Sequence, residues 1–114
     1  MNAWMRVSVG GQRWRVYLVS PRSKYLRDED DHTNKLDGQC FYDRCAIYID
    51  RTLEESVFED TLLHELMHAV LHVTGASAVY GREPELEERL VSAATPALHR
   101  LVRDLGFHFP KRAA

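Results

Sequence analysis

No apolar run in this chain approaches the roughly 20 consecutive residues that a membrane-spanning helix needs, so a membrane is not an expected partner. Residues 1–11 lack the charged-then-apolar layout of a signal peptide, which makes the cytoplasm the expected compartment. There is little excess of either charge. Fifteen Lys and Arg against 17 Asp and Glu leave a formal net charge of −2, without the basic footprint that nucleic-acid binding requires. Cysteine is scarce as well. Cys40 and Cys45 flank a predicted turn, are too few to make a metal site of their own, and read as free thiols on strands. At 114 residues, one domain with one modest core is expected.

What the chain does contain is His64-Glu65-Leu66-Met67-His68, an H-E-x-x-H pattern in a segment expected to be helical. Histidines at i and i+4 stand one turn apart on the same side of a helix, so both imidazoles can reach one tetrahedral Zn²⁺. The glutamate beside the first histidine then points at the open side of the metal. Three fixed positions arise by chance in roughly one chain in a few hundred of this length, so the setting must support the motif.

The setting does so. Thr52 is the expected N-cap with Glu55 completing a capping box, and Gly75 is the natural stop, giving a helix over residues 53–73. Phe58, Leu62, Leu63, Leu66, Met67, Ala69, Val70, Leu71 and Val73 cover more than half of its surface. The narrow remainder holds His64, Glu65, His68 and His72. A helix apolar nearly all round is buried, and a polar stripe along it must find partners. A metal at the floor of a cleft would supply them.

A catalytic zinc needs three protein ligands and one open position. The metzincin spacing for a third histidine falls on Thr74, and His72 stands a further turn, roughly 5–6 Å, along the axis, too far to share the metal, which makes it a cleft-wall residue or a support behind the ligands. The next helix offers carboxylates instead. Pro84 opens it, and Leu86, Leu90, Val91, Ala94, Ala97, Leu98, Leu101, Val102 and Leu105 recur at helical spacing up to Gly106. The centre of that face falls close to Glu87, while Glu85 and Glu88 are expected to face solvent. Glu87 is therefore the expected third ligand, with Glu83 as the fallback; a helix-N-terminal glutamate stabilised by the dipole is the competing account. In this arrangement Glu65 is the general base that takes a proton from the zinc-bound water and returns one to the leaving amine. Tyr80, His72 and His108 are candidate donors to the developing oxyanion.

Upstream, residues 5–9 and 13–19 alternate apolar with polar around Gly10-Gly11, a hairpin signal. Residues 20–37 read as a polar loop, whose acidic run Asp28-Glu29-Asp30-Asp31 lacks the spacing of a calcium loop. Residues 39–42 and 45–50 form a second predicted hairpin about Asp43-Arg44, leading directly into the motif helix. The order implies an α+β fold, a small antiparallel or mixed sheet packed on two main helices. If residues 45–50 lie at the sheet edge above the metal, an extended peptide could add to them as a strand. The segment 107–114 either caps the core or lies across the cleft.

The succession Gly10-Gly11, Asp37-Gly38, Ile47-Tyr48-Ile49-Asp50 and Thr61-Leu62-Leu63-His64-Glu65-Leu66-Met67-His68-Ala69 resembles small HExxH metallopeptidase-like proteins of phages and prophages. These are similar to the ImmA/IrrE metallopeptidases and to minimal gluzincins. The resemblance runs over about residues 7–106. It implies a short sheet, an active-site helix and a second helix bearing a glutamate ligand, with the ligands falling on His64, His68 and Glu87 and the base on Glu65. The position four residues after Glu87, where gluzincins often carry Asp, is Val91. The expected activity is zinc-dependent endopeptidase cleavage of a protein or peptide. A zinc-stabilised, non-cleaving protein-binding module is the alternative, and a structural domain with an accidental motif stands behind both.

Overall fold

The computed structural model describes residues 1–80 and 83–112, with the side chain of Tyr80 outside that description. The architecture is α+β: a four-stranded mixed sheet and two main helices. Strands β1 (Met5–Val9) and β2 (Gln12–Val19) form the first hairpin. Its turn places Gly10 and Gly11 at φ 55° and 86°, the pair of positive angles that a two-residue hairpin turn favours. Gly10 also lies where a Cβ would come 2.4 Å from Val73, so the turn packs on the end of the motif helix.

Strands β3 (Gly38–Phe41) and β4 (Ala46–Asp50) form the second hairpin through a short 3₁₀ turn, Tyr42–Arg44. The sheet order is β1-β2-β4-β3, with β2 and β4 parallel. This corrects the expected place of residues 45–50. β4 is an inner strand, and the edge strands are β1 and β3. The reason is visible in its sequence: Ala46-Ile47-Tyr48-Ile49 is apolar on both faces, as a strand covered on both sides must be.

One face of the sheet carries Trp14, Val16, Ile47 and Ile49 into a core with Phe58, Leu62 and Ala69 of helix α1 (Glu55–Val73). The other face buries Val19, Leu26, Ala46 and Tyr48 beneath Tyr17, Tyr25 and Phe41. Tyr48 stacks between Tyr17 (5.1 Å) and Tyr25 (4.1 Å). The polar segment 20–37 is thus more than a solvated loop. Its 3₁₀ turn Lys24–Leu26 delivers Tyr25 and the fully buried Leu26 to the outer face.

α1 begins two residues later than the sequence suggests. Thr52 donates its amide (2.8 Å) and hydroxyl (2.7 Å) to the buried carboxylate of Asp50, and Glu54 occupies the N-cap position without a side-chain cap. Thr52 is thereby held against the end of β4, and the helix starts beyond it. Gly75, at φ 81°, closes the helix as expected.

Helix α2 (Pro84–Asp104) runs through Pro96 to Gly106 (φ 84°), where Phe107 N–H to Val102 and Gly106 N–H to Arg103 close a Schellman motif. Its buried line is Val91, Thr95 and His99. The leucines that dominate its apolar count lie instead on the outer side. The segment after it docks away from the cleft. Trp4 Nε1 donates to Lys111 O (3.1 Å), Arg112 donates to Arg51 O (3.1 Å) and Leu53 O (2.6 Å), and its guanidinium lies 4.4 Å over Phe58. Up to Arg112 the tail caps the core; residues 113–114 lie outside the described residues. Among the described residues, no helix is long and apolar enough to cross a membrane.

Candidate metal centre

α1 and α2 meet along one wall of a cleft of about 720 Å³, and β3 forms the opposite wall. That volume is within the usual range for ligand pockets, about 300–1,000 Å³. The floor is the polar stripe of α1. His64, Glu65 and His68 all line the cleft, together with Glu87 and Glu88 from α2 and Gly38, Cys40 and Tyr42 from the β3 side.

His64 Nε2 lies 2.9 Å from Glu88 Oε1, and His68 Nε2 lies 2.8 Å from Glu88 Oε2. One ligand atom from each of His64, His68 and Glu88 falls within 4.8 Å of the others. Two donors about 2.0–2.1 Å from a tetrahedral Zn²⁺ stand about 3.4 Å apart. The two histidine–carboxylate contacts are shorter than that edge and the whole set lies within 4.8 Å, so small side-chain rotations bring the three onto one ion. The donor set, two imidazoles and a carboxylate, also suits zinc.

Glu87 occupies a different place from the one its sequence position suggested. Its Oε2 accepts a hydrogen bond from His68 Nδ1 at 2.7 Å, and its Oε1 accepts one from Ser77 at 2.6 Å. The structure groups Glu88, not Glu87, with the two Nε2 atoms. The physical reason is the rotation of α2. Placing the buried face by its leucines centres it near Glu87, but the helix turns Val91, Thr95 and His99 towards α1, and Glu88 lies one turn before Val91 on that side. Glu88 is exposed, as expected, but the solvent it faces is that of the cleft. Glu83 sits exposed at the N-cap of α2 and is not among the cleft-lining residues.

Glu65 is 8% exposed and accepts no hydrogen bond among the described residues. Burial pushes its carboxyl up to about 7; His68 opposes the shift and Glu88 adds to it. Burial also holds the His64 imidazole below its usual range, with Glu88 opposing and His68 contributing. A neutral imidazole is the form that binds a metal. Gly38 lets β3 pass close to this spot: a Cβ there would lie 2.8 Å from Thr61 Cγ2 and 3.2 Å from Glu65 Cγ.

The three suggested oxyanion donors fare differently. His72 stacks on Tyr42, ring centroids 4.4 Å apart, and does not line the cleft. His108 is exposed outside it. Tyr80 ends the 3₁₀ turn Ala76–Tyr80, and its side chain lies outside the described residues. Tyr42, which sequence reasoning passed over, does line the cleft. Burial, reinforced by Cys40 and the nearby carboxylates, raises its phenol, so it stays a neutral O–H donor. Nothing in the sequence marked Tyr42 or Ser77, because both depend on how non-adjacent elements meet.

Comparison with protein-family models, curated proteins and solved structures finds no match.

Proposed function

We propose that this chain is a zinc-dependent peptidase whose metal is held by His64, His68 and Glu88. The observation that carries the reading is the convergence of two imidazole Nε2 atoms and the Glu88 carboxylate beside a buried Glu65 that has no hydrogen-bond partner among the described residues. When bound, Zn²⁺ supplies Lewis acidity towards a water and towards the carbonyl of the scissile bond.

The chain's own residues do the rest. Glu87 holds the Nδ1 proton of His68, which directs Nε2 and its lone pair into the cleft. Glu65 takes a proton from the attacking water and delivers it to the leaving amine, a dual task suited to a carboxyl poised near neutrality. Tyr42 donates to the oxygen on which negative charge develops. An extended substrate segment lies along β3, the edge strand bordering the cleft. The reducing cytoplasm suits the two free thiols, Cys40 and Cys45.

The same open edge strand would serve a zinc-stabilised module that grips a protein segment without cutting it. One experiment separates the two. The purified chain is assayed for stoichiometric zinc, and a cell lysate is then searched for new peptide termini with the wild type and with Glu65→Gln. Termini that appear only with the wild type support hydrolysis. Zinc without any wild-type-specific terminus supports the binding module, and a chain that takes up no zinc removes both.

A further inference from the structure

The cleft continues past the metal centre into a second cavity of about 530 Å³, and the two share Asp28, Leu36, Gln39, Cys40 and Tyr42 as walls. Carboxylates crowd this extension. Asp28, Glu29, Asp30 and Asp43 line it, while no Lys or Arg among the described residues lines either cavity. The chain as a whole is nearly neutral, with 15 Lys and Arg against 17 Asp and Glu. Its negative charge is thus gathered at the cleft.

Elsewhere along the walls each acid has a cation. Asp37 faces Lys35 at 3.3 Å, Asp43 faces Arg44 at 3.9 Å, and Asp60 is held by His99. Glu87 and Glu88 face the histidines of the metal centre. Asp28, Glu29 and Asp30 form no ion pair among the described residues. Of the neighbouring cations, Lys35 turns to Asp37 and Asp50, and Arg27 lines neither cavity. Asp31 differs from its neighbours, because its carboxylate holds the Thr33 amide (3.0 Å) and hydroxyl (2.6 Å) and does not line the cavity. Three successive unpaired carboxylates repel one another, a cost that a bound cation would remove.

Two further observations point to a ligand in this trough, and to its shape. Glu65, 8% exposed, lines the same cleft and has no hydrogen-bond partner among the described residues. The edge of β3 is open as well. Asp50 N–H donates to Asp37 O (2.9 Å), so bonding to β4 alternates through Gln39 and Phe41, and the N–H and C=O of Gly38 and Cys40 face away from β4. Both residues line the cleft, and an open strand edge takes an extended chain.

Side chains of such a chain alternate between the two faces of the sheet. One set falls on the face where the Gln39 amide reaches Tyr25 O (2.8 Å) and Arg27 O (3.1 Å), which is where Asp28 follows. Leu36, Phe41 and Tyr42 add apolar wall there, and Arg44, 4.8 Å over the Phe41 ring, stays outside the lining. A long aliphatic stem ending in a cation matches such a wall. Resting on the reading of β3 as the seat of a substrate segment, we infer that this segment carries a lysine or arginine in the second cavity, its charge among Asp28, Glu29 and Asp30.

Binding and cleavage are tested separately. Fluorescein-labelled decapeptides, uncharged except at one central position, carry there Lys, Arg, citrulline, norleucine or Glu. Anisotropy with Glu65→Gln in the presence of zinc gives their Kd values. The Lys and Arg peptides are expected to bind about tenfold more tightly than the citrulline and norleucine peptides, since each partly exposed ion pair contributes a few-fold, and the Glu peptide most weakly. Adding Asp28→Asn, Glu29→Gln and Asp30→Asn together should bring Lys level with citrulline, while norleucine affinity and far-ultraviolet circular dichroism stay unchanged. Equal affinity for Lys and citrulline, a preference that survives the triple substitution, or no binding of any peptide at hundreds of micromolar protein overturns the proposal. The wild type is then incubated with the same peptides. A preference for Lys and Arg without cleavage upholds this inference and removes the peptidase; cleavage without the preference does the reverse.

Discussion

Glu87 Oε2 lies 2.7 Å from His68 Nδ1, and this contact determines which nitrogen of His68 looks into the cleft. A proton held on Nδ1 leaves the Nε2 lone pair for a metal, while Glu88 stands on the Nε2 side. The two adjacent glutamates therefore have separable roles. Glu88→Ala is expected to remove stoichiometric zinc binding. Glu87→Ala is expected to keep the site but weaken it by about 10–100-fold, the usual cost of losing an orienting partner. Competition against a chelator of known affinity measures both. Equal losses, or a larger loss at Glu87, would move the third ligand to Glu87.

Glu65→Gln should keep the metal and lose turnover. The substitution preserves shape but removes the group that accepts and returns the proton, a contribution of about 10²–10⁴ in rate. Zinc content measured alongside peptide hydrolysis separates chemistry from binding. Hydrolysis undiminished by the change would take Glu65 out of the mechanism.

The parts of the fold that were legible in the sequence are those fixed locally. The Gly10-Gly11 turn, the limits of β1 and the stop at Gly75 follow from backbone preference and two-residue alternation. His64, Glu65 and His68 were legible because their spacing is a property of one helix. What failed to show depends on packing between elements. Thr52 looks like a cap until Asp50 is seen to hold it at the end of β4, ahead of the helix start. Glu88 looks like a plain surface residue until the cleft is seen to open beside it. The position of β3 at the sheet edge rests on the parallel pairing of β2 with β4, a contact between residues about 30 apart in sequence.

Gly38 gives a test of how closely β3 and α1 must approach. Gly38→Ala sets a methyl 2.8 Å from Thr61 Cγ2 and 3.2 Å from Glu65 Cγ, so strand or helix must shift. Overpacking of this sort costs about 1–3 kcal/mol, measurable as a lower urea midpoint. Adding Thr61→Ser, which deletes the nearer methyl, should recover part of the loss. No recovery would show that the crowding lies elsewhere.

Asp50 should make stability depend on pH. Burial raises its carboxyl, but the hydrogen bonds from Lys35 and from the Thr52 hydroxyl and amide outweigh burial and hold it below the usual range. A carboxyl depressed in the folded state stabilises fully above its unfolded value of about 3.9, and that stabilisation fades as pH falls through the folded value. The urea midpoint of the wild type should therefore drop as pH is lowered below about 4. Asp50→Asn should start lower at neutral pH and fall less steeply in acid. Parallel curves for the two proteins would assign the acid sensitivity to other groups.

His99 ties the two helices together at the far end of the cleft wall. Its Nε2 lies 2.7 Å from Glu59 Oε1 and its Nδ1 lies 2.6 Å from Asp60 Oδ1, with Phe109 edge-on at 5.8 Å. Glu59 is buried, and its only other partner among the described residues is Arg103 at 3.9 Å. His99→Ala therefore leaves a buried carboxylate nearly alone, a loss of about 3–5 kcal/mol when one member of a buried pair is removed. Replacing both partners, with Glu59→Leu added to His99→Leu, should restore much of that stability, since no charge is left stranded. Asp60 lines the cleft as well, so the single variant should also loosen the wall beside His64. Thermal unfolding of the single and double variants measures the first effect, and zinc affinity the second. A double variant no more stable than His99→Ala would mean that packing around the imidazole, rather than the stranded charge, sets the cost.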